Sequence, residues 1–112
     1  MMILALFLAT AAPVTQGRAV ALVSDAMKRI DPTTPLVCLS ITPEKTSSRR
    51  FDITVREVHD YKCGGDDEVE TVRDRFRVTR LPVSVSRLDA AKDRYIPCTI
   101  SKGAVTCPAP TR

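Results

Sequence analysis

Four cysteines, Cys38, Cys63, Cys98 and Cys107, constrain this chain more than any other feature, because little else in it can hold a small domain together. Past Ala19 the aromatic residues are Phe51, Tyr61, Phe76 and Tyr95, and tryptophan is absent. A core that thin needs covalent staples. Two disulfides are expected in preference to a metal. A zinc site would want a C-x-x-C-like pair, which is missing, and the single histidine, His59, lies four residues from only one cysteine. Four cysteines admit three connectivities. Cys38–Cys63 with Cys98–Cys107 is preferred, since the second pair flanks the short Lys102-Gly103 turn and can face itself across a hairpin. In a chain-entropy picture such loops stabilise a fold by roughly 3.5 and roughly 2.5 kcal/mol.

The amino-terminal run Met1–Ala12 (MMILALFLATAA) fits the same oxidising context. Between Ile3 and Ala12 only Thr10 is polar, which suits a secretory signal and is too short to span a bilayer. Gly17 and Ala19 put small residues at −3 and −1 of a cut after Ala19, so residues 1–19 read as a signal peptide and 20–112 as a single small domain. The competing reading of the run is an uncleaved lipid-facing anchor. The formal charge is +4, or +3 once Arg18 is lost, and it is spread along the chain. That bias permits contact with anionic polymers or phospholipid and does not point to nucleic acid.

Val20–Ile30 carries apolar residues at 20, 22, 23, 26, 27 and 30, a helical stripe with Asp25, Lys28 and Arg29 opposite, closed by Pro32. Leu36–Thr42 reads as a strand with Val37, Leu39 and Ile41 on one face, and polar Pro43–Arg50 as a long hairpin loop. Phe51–His59 alternates, with Phe51, Ile53 and Val55 inward. Gly64-Gly65-Asp66-Asp67 marks a turn. Thr71–Arg80 sets Val72, Phe76 and Val78 on one face and Arg73, Arg75 and Arg77 on the other. Val83–Leu88 is a further strand, Asp89–Asp93 a turn, and Arg94–Thr106 a last strand with the stapled hairpin. Connections this short leave no room for crossover helices. The fold expected is therefore α+β: one N-terminal helix packed on a four- to five-stranded antiparallel meander, disulfide-stapled, with the other sheet face wet.

Three groups invite a functional reading. Arg73, Arg75 and Arg77 recur at period two, and a neighbouring strand should add Arg56 to their face. Guanidinium groups fork onto carboxylate or phosphate, so this row is the expected binding site, set against a simple solvated face in which the arginines pair with Asp52, Glu57 or Asp74. His59, Asp60 and Cys63 resemble a thiol–imidazole pair, yet an exported Cys63 would be oxidised. His59 with Asp66, Asp67, Glu68 and Glu70 offers oxygen ligands to a hard cation, with a spacing that matches no EF-hand. Neither a catalytic residue nor a metal site nor a cofactor is therefore expected.

The stretch Val55–Glu68 (VREVHDYKCGGDDE), with Leu36-Val37-Cys38-Leu39-Ser40 before it and Asp74-Arg75-Phe76-Arg77-Val78 after it, resembles small exported bacterial proteins of uncharacterised function. Those carry a CLSF-like strand, an R-E-x-H strand, a C-G-G-D-P loop and an F-x-V strand in that order. The resemblance covers roughly Leu36–Pro97 and implies a bridge between the cysteines matching Cys38 and Cys63. This chain departs from the pattern at Asp67, where the proline would stand, and in its added Cys98 and Cys107. The expectation is a periplasmic or secreted, non-enzymatic binding module of the bacterial envelope, with an anionic polymer or acidic protein as partner. The alternatives are an inhibitor or immunity protein against an envelope-directed hydrolase, and a small enzyme or metal protein using His59 and the acidic loop. Inhibitors of basic hydrolases are steered by acidic charge, and this chain is basic.

Overall fold

The computed structural model describes residues 12–110. The apolar run Met1–Ala11 lies outside the described residues. Helix α1 (Gln16–Ile30) is capped by Thr15, whose side chain accepts from the Arg18 amide, and Lys28 and Arg29 complement its last turn. Its face of Ala19, Leu22, Val23, Ala26 and Met27 is buried. The strands follow as β1 (Leu39–Ser47), β2 (Arg50–Glu57), β3 (Val72–Arg80), β4 (Val83–Asp89) and β5 (Arg94–Pro97), an antiparallel sheet in sequential order. A separate hairpin, β6 (Thr99–Ser101) and β7 (Ala104–Thr106), closes against the helix, with Val105 fully buried and its amide bonded to Asp25. The α+β architecture and both disulfides, Cys38–Cys63 and Cys98–Cys107, are as the sequence suggested.

The core sits between α1 and one face of the sheet. Phe51, Ile53 and Val55 of β2, Phe76 and Val78 of β3 and Val85 of β4 meet the helix stripe there. Four local expectations change. The helix begins at Gln16, not Val20, because Thr15 supplies a cap and Ala19 is small enough to seat against the sheet. A cut after Ala19 would therefore fall inside the folded helix. Leu36–Cys38 is a 3-10 turn in place of the first part of a strand, and it leaves Val37 75% exposed. The polar stretch after Thr42 is not a long loop. β1 runs on to Ser47 and only Ser48 and Arg49 turn the hairpin, since Pro43 lies on an edge strand, where a missing N–H is tolerated.

The fourth change alters the sheet face turned away from α1. Val55 pairs with Asp74, but Arg56 pairs with Val72, so Arg73 is an extra residue in β3. A bulge of this kind reverses the side-chain parity on one side of it. Val72 turns out to solvent instead of joining Phe76 and Val78, and Arg73 leaves the row of arginines.

Candidate functional site

The face of the sheet turned away from α1 is built from the alternate residues of each strand. Register places Ser40 beside Arg56, and the row Thr42, Thr54 and Arg75 across β1, β2 and β3. The next row holds Glu44, Asp52, Arg77 and Ser86. Hydroxyls and guanidinium groups thus share a surface with Asp52 and Glu44 as its carboxylates along these rows. Arg77 is held on both sides: its Nε lies 3.3 Å from Asp52, and its guanidinium stacks 4.0 Å above the centroid of the Tyr95 ring, reached across Ser86. Arg50 also approaches Asp52, at 3.6 Å. Arg56 and Arg75, by contrast, have no carboxylate partner among the described residues. They are diagonal neighbours on adjacent strands, a spacing at which like charges repel.

Of the arginines expected to share a face, three do so: Arg56, Arg75 and Arg77. The structure moves Arg73 to the end of the sheet, where Nη1 donates to Glu57 at 3.0 Å and Nη2 to Asp31 at 2.6 Å. Asp31 is the residue that caps the carboxyl end of α1. The bulged arginine therefore ties helix to sheet. Of the acidic partners expected for these arginines, Asp52 and Glu57 serve as such, whereas Asp74 takes Arg87.

The charge chain continues from Glu57 into the glycine loop. Glu57 Oε2 lies 2.7 Å from His59 Nε2, and His59 Nδ1 lies 2.8 Å from the carbonyl oxygen of Asp66. A carbonyl only accepts, so Nδ1 carries a proton; an ionised carboxylate only accepts, so Nε2 carries one too. The geometry is that of an imidazolium. Consistently, the Glu57 hydrogen bond, and after it the Asp66 carbonyl, raise His59 above its ordinary pKa of 6.5. Glu57 is lowered by His59 first and Arg73 second. Asp31 is lowered to about 2, chiefly by the hydroxyls of Thr34 and Thr33, with Arg73 adding to them.

Of the two glycines in the loop, Gly65 makes room for that ring. Gly64 and Gly65 have φ of +77° and +82°, and a Cβ on Gly65 would stand 2.7 Å from His59 Cδ2. Asp60 closes the turn by accepting from the amides of Lys62 and Cys63, at 2.9 and 2.8 Å. Cys63 is then bonded to Cys38. His59, Asp60 and Cys63 are thus near one another in structural roles: a ring with both nitrogens hydrogen-bonded, a turn-capping carboxylate and an oxidised sulfur. A cleft of about 200 Å³ opens beside them, lined by Thr34, Cys38, Glu57, His59, Gly65 and Arg73 among others. The acidic residues of the loop do not converge on it. Asp66 caps the Glu68 amide at 3.0 Å, and the described residues contain no group of three or more potential metal ligands.

Sequence reading missed the participation of Asp31 and Glu57 in one network with His59 and Arg73. The R-E-x-H spacing puts Glu57 and His59 two apart, which was a signal for their contact. Nothing local marks the bulge that brings Arg73 in. Comparison of the chain with protein-family models, with curated proteins and with solved structures returned no match.

Proposed function

We propose that this protein is an exported, non-enzymatic binding module of the bacterial envelope that takes an anionic polymer or an acidic protein segment on its open sheet face. The observation that carries the reading is the contrast among its arginines. Arg73, Arg77 and Arg87 have carboxylate partners within the fold, whereas Arg56 and Arg75, diagonal neighbours on adjacent strands, have none among the described residues. Two unpaired guanidinium groups on adjacent strands, flanked by the hydroxyls of Ser40, Thr42 and Thr54, match the forked oxygens of phosphate or carboxylate. Their mutual repulsion is relieved when such an anion binds. Two disulfides suit an oxidising compartment, and no helix among the described residues is long and apolar enough to cross a membrane. The resemblance of the R-E-x-H and C-G-G-D segments to exported proteins supports the same location.

Arg73 is excluded from this surface, and Arg77 serves as its rigid flank. The test is the Arg56→Ser/Arg75→Ser variant, titrated with polyphosphate and with polyglutamate at several salt concentrations. The variant should keep its fold, because Arg75 is exposed, Arg56 is half-buried and neither has a carboxylate partner among the described residues to leave behind. Affinity should fall by about tenfold per arginine removed, and the salt dependence should flatten. Unchanged affinity with unchanged salt dependence would refute the site.

A further inference from the structure

The strands carry opposite charge to their two ends. The loop between β2 and β3 holds Asp60, Asp66, Asp67, Glu68 and Glu70 against Lys62 and the His59 imidazolium. At the other end lie the β1–β2 turn, the β3–β4 turn and the entry of the chain into the fold. No acidic residue occurs from Lys45 to Phe51 or from Arg75 to Leu88, whereas Lys45, Arg49, Arg50 and Arg80 all lie in these stretches. Arg80 rivets the three segments together. Its amide donates to the Arg49 carbonyl at 2.8 Å, its Nη1 to the Ser48 carbonyl at 3.0 Å and its Nε to the Val14 carbonyl at 3.0 Å, while the Val14 amide donates to the Arg80 carbonyl at 2.9 Å.

Exposed apolar side chains are set among these cations. Leu81 is 55% and Val83 45% exposed, on either side of Pro82. An open groove runs from Arg49, Arg50 and Ser47 to Leu81 and Pro82, and a second from Arg49 and Arg80 to Leu81 and Pro13. Pro13, which follows the apolar run Met1–Ala12 in the sequence, lines this second groove. Apolar tips ringed by basic residues are the composition of a surface that rests in the headgroup region of an anionic bilayer. An acidic protein partner would satisfy the cations and leave Leu81 and Val83 without a purpose; a lipid surface uses both.

We infer that this end of the domain seats on an anionic phospholipid surface. Leu81 and Val83 enter the headgroup boundary, Lys45, Arg49 and Arg50 meet phosphates while Arg80 holds their turns together, and the acidic loop is held outward. The inference is independent of the Arg56 and Arg75 site, which lies on the sheet face and not on its turns.

The chain contains no tryptophan, so Leu81→Trp in the full chain makes a single reporter, and Val37→Trp makes its counterpart at the opposite end. On mixed phosphatidylcholine–phosphatidylglycerol vesicles the tryptophan at 81 should shift to the blue and be shielded from an aqueous quencher, while that at 37 stays accessible. Adding Lys45→Ser and Arg49→Ser to the Leu81→Trp chain should reduce the seated population by about fivefold per residue, the worth of one basic side chain near an anionic surface. Lys62→Ser should leave it unchanged. Equal quenching at 81 and 37 on mixed vesicles would overturn the inference. Equal shielding at 81 on pure phosphatidylcholine vesicles would overturn it as well, since the apolar run alone would then account for the result.

Discussion

Removing the guanidinium of Arg87 should be the most damaging single change to a charged residue in this fold. Arg87 sits on the inner face of β4 and forks onto Asp74 of β3, with Nε–Oδ1 and Nη2–Oδ2 both at 2.8 Å. The two side chains are 14% and 8% exposed, near the carboxyl end of α1, where Arg29 and Ile30 border the same cleft as Arg87. Arg87→Met keeps the length and apolar stem of the side chain but leaves the Asp74 carboxylate nearly buried and unpaired. Breaking a buried pair in this way costs about 3–5 kcal/mol, and the residual exposure of Arg87 argues for the lower end, about 3 kcal/mol. In a domain of this size each kcal/mol corresponds to about 4–8 °C in Tm, so the variant should melt roughly 12–24 °C below the native protein. The assay is thermal unfolding followed by far-ultraviolet circular dichroism, at neutral pH with both disulfides intact. Asp74→Leu/Arg87→Met removes both charges together, and a well-packed apolar replacement should return stability to within about 1 kcal/mol of native. Two outcomes refute the reasoning. Arg87→Met melting within about 0.5 kcal/mol of native would mean Asp74 is effectively hydrated, and a double variant as weak as the single one would mean that packing, not the orphaned charge, sets the loss.

Three further expectations concern the loop and the chain's entry. His59 has its folded pKa raised above 6.5, so the stability its imidazolium contributes is fully present below that value and is lost as pH rises through the raised value. Amide exchange in Cys63–Glu70 should accelerate over that upper window, and Glu57→Gln should lower the His59 pKa measured by nuclear magnetic resonance; a native value at or below 6.5 would dismiss the imidazolium. Gly64→Ala meets no atom within 4 Å and should cost about 1 kcal/mol from its positive φ alone, whereas Gly65→Ala drives a methyl into the His59 ring and should also abolish the raised pKa. Equal effects would mean the ring is not packed on Gly65. Any processed form should begin upstream of Val14, which mass spectrometry of exported protein will read directly. Ala9-Thr10-Ala11 offers small residues at −3 and −1 for such a cut, and a species starting at Val20 would show that the cap at Thr15 and the burial of Ala19 are dispensable.

Much of this architecture is visible in the residues themselves. Alternation in Phe51-Asp52-Ile53-Thr54-Val55 determines which side of β2 is core, because a strand has a period of two and nothing else competes with it there. The stripe from Leu22 to Met27 determines a helix for the same reason at a period of 3.6. Short polar connections exclude crossovers and so determine the meander, and the Lys102-Gly103 turn brings Cys98 to Cys107. Such patterns are local, and local chemistry suffices to read them. The composition of the open sheet face is not local. Arg73, Arg75 and Arg77 are equivalent along the strand, and only pairing with β2 inserts the bulge that turns Arg73 toward Asp31, forty-two residues away, while Arg75 stays on the open face. Whether an arginine is internal or available is settled by which carboxylate the register brings within reach, and register belongs to the pair of strands, not to either one. The same holds for the basic end of the domain. Arg49, Arg80 and Val14 are far apart in the chain and become one surface because antiparallel strands return their turns to a common edge, where backbone groups left unpaired by the sheet bond to one another.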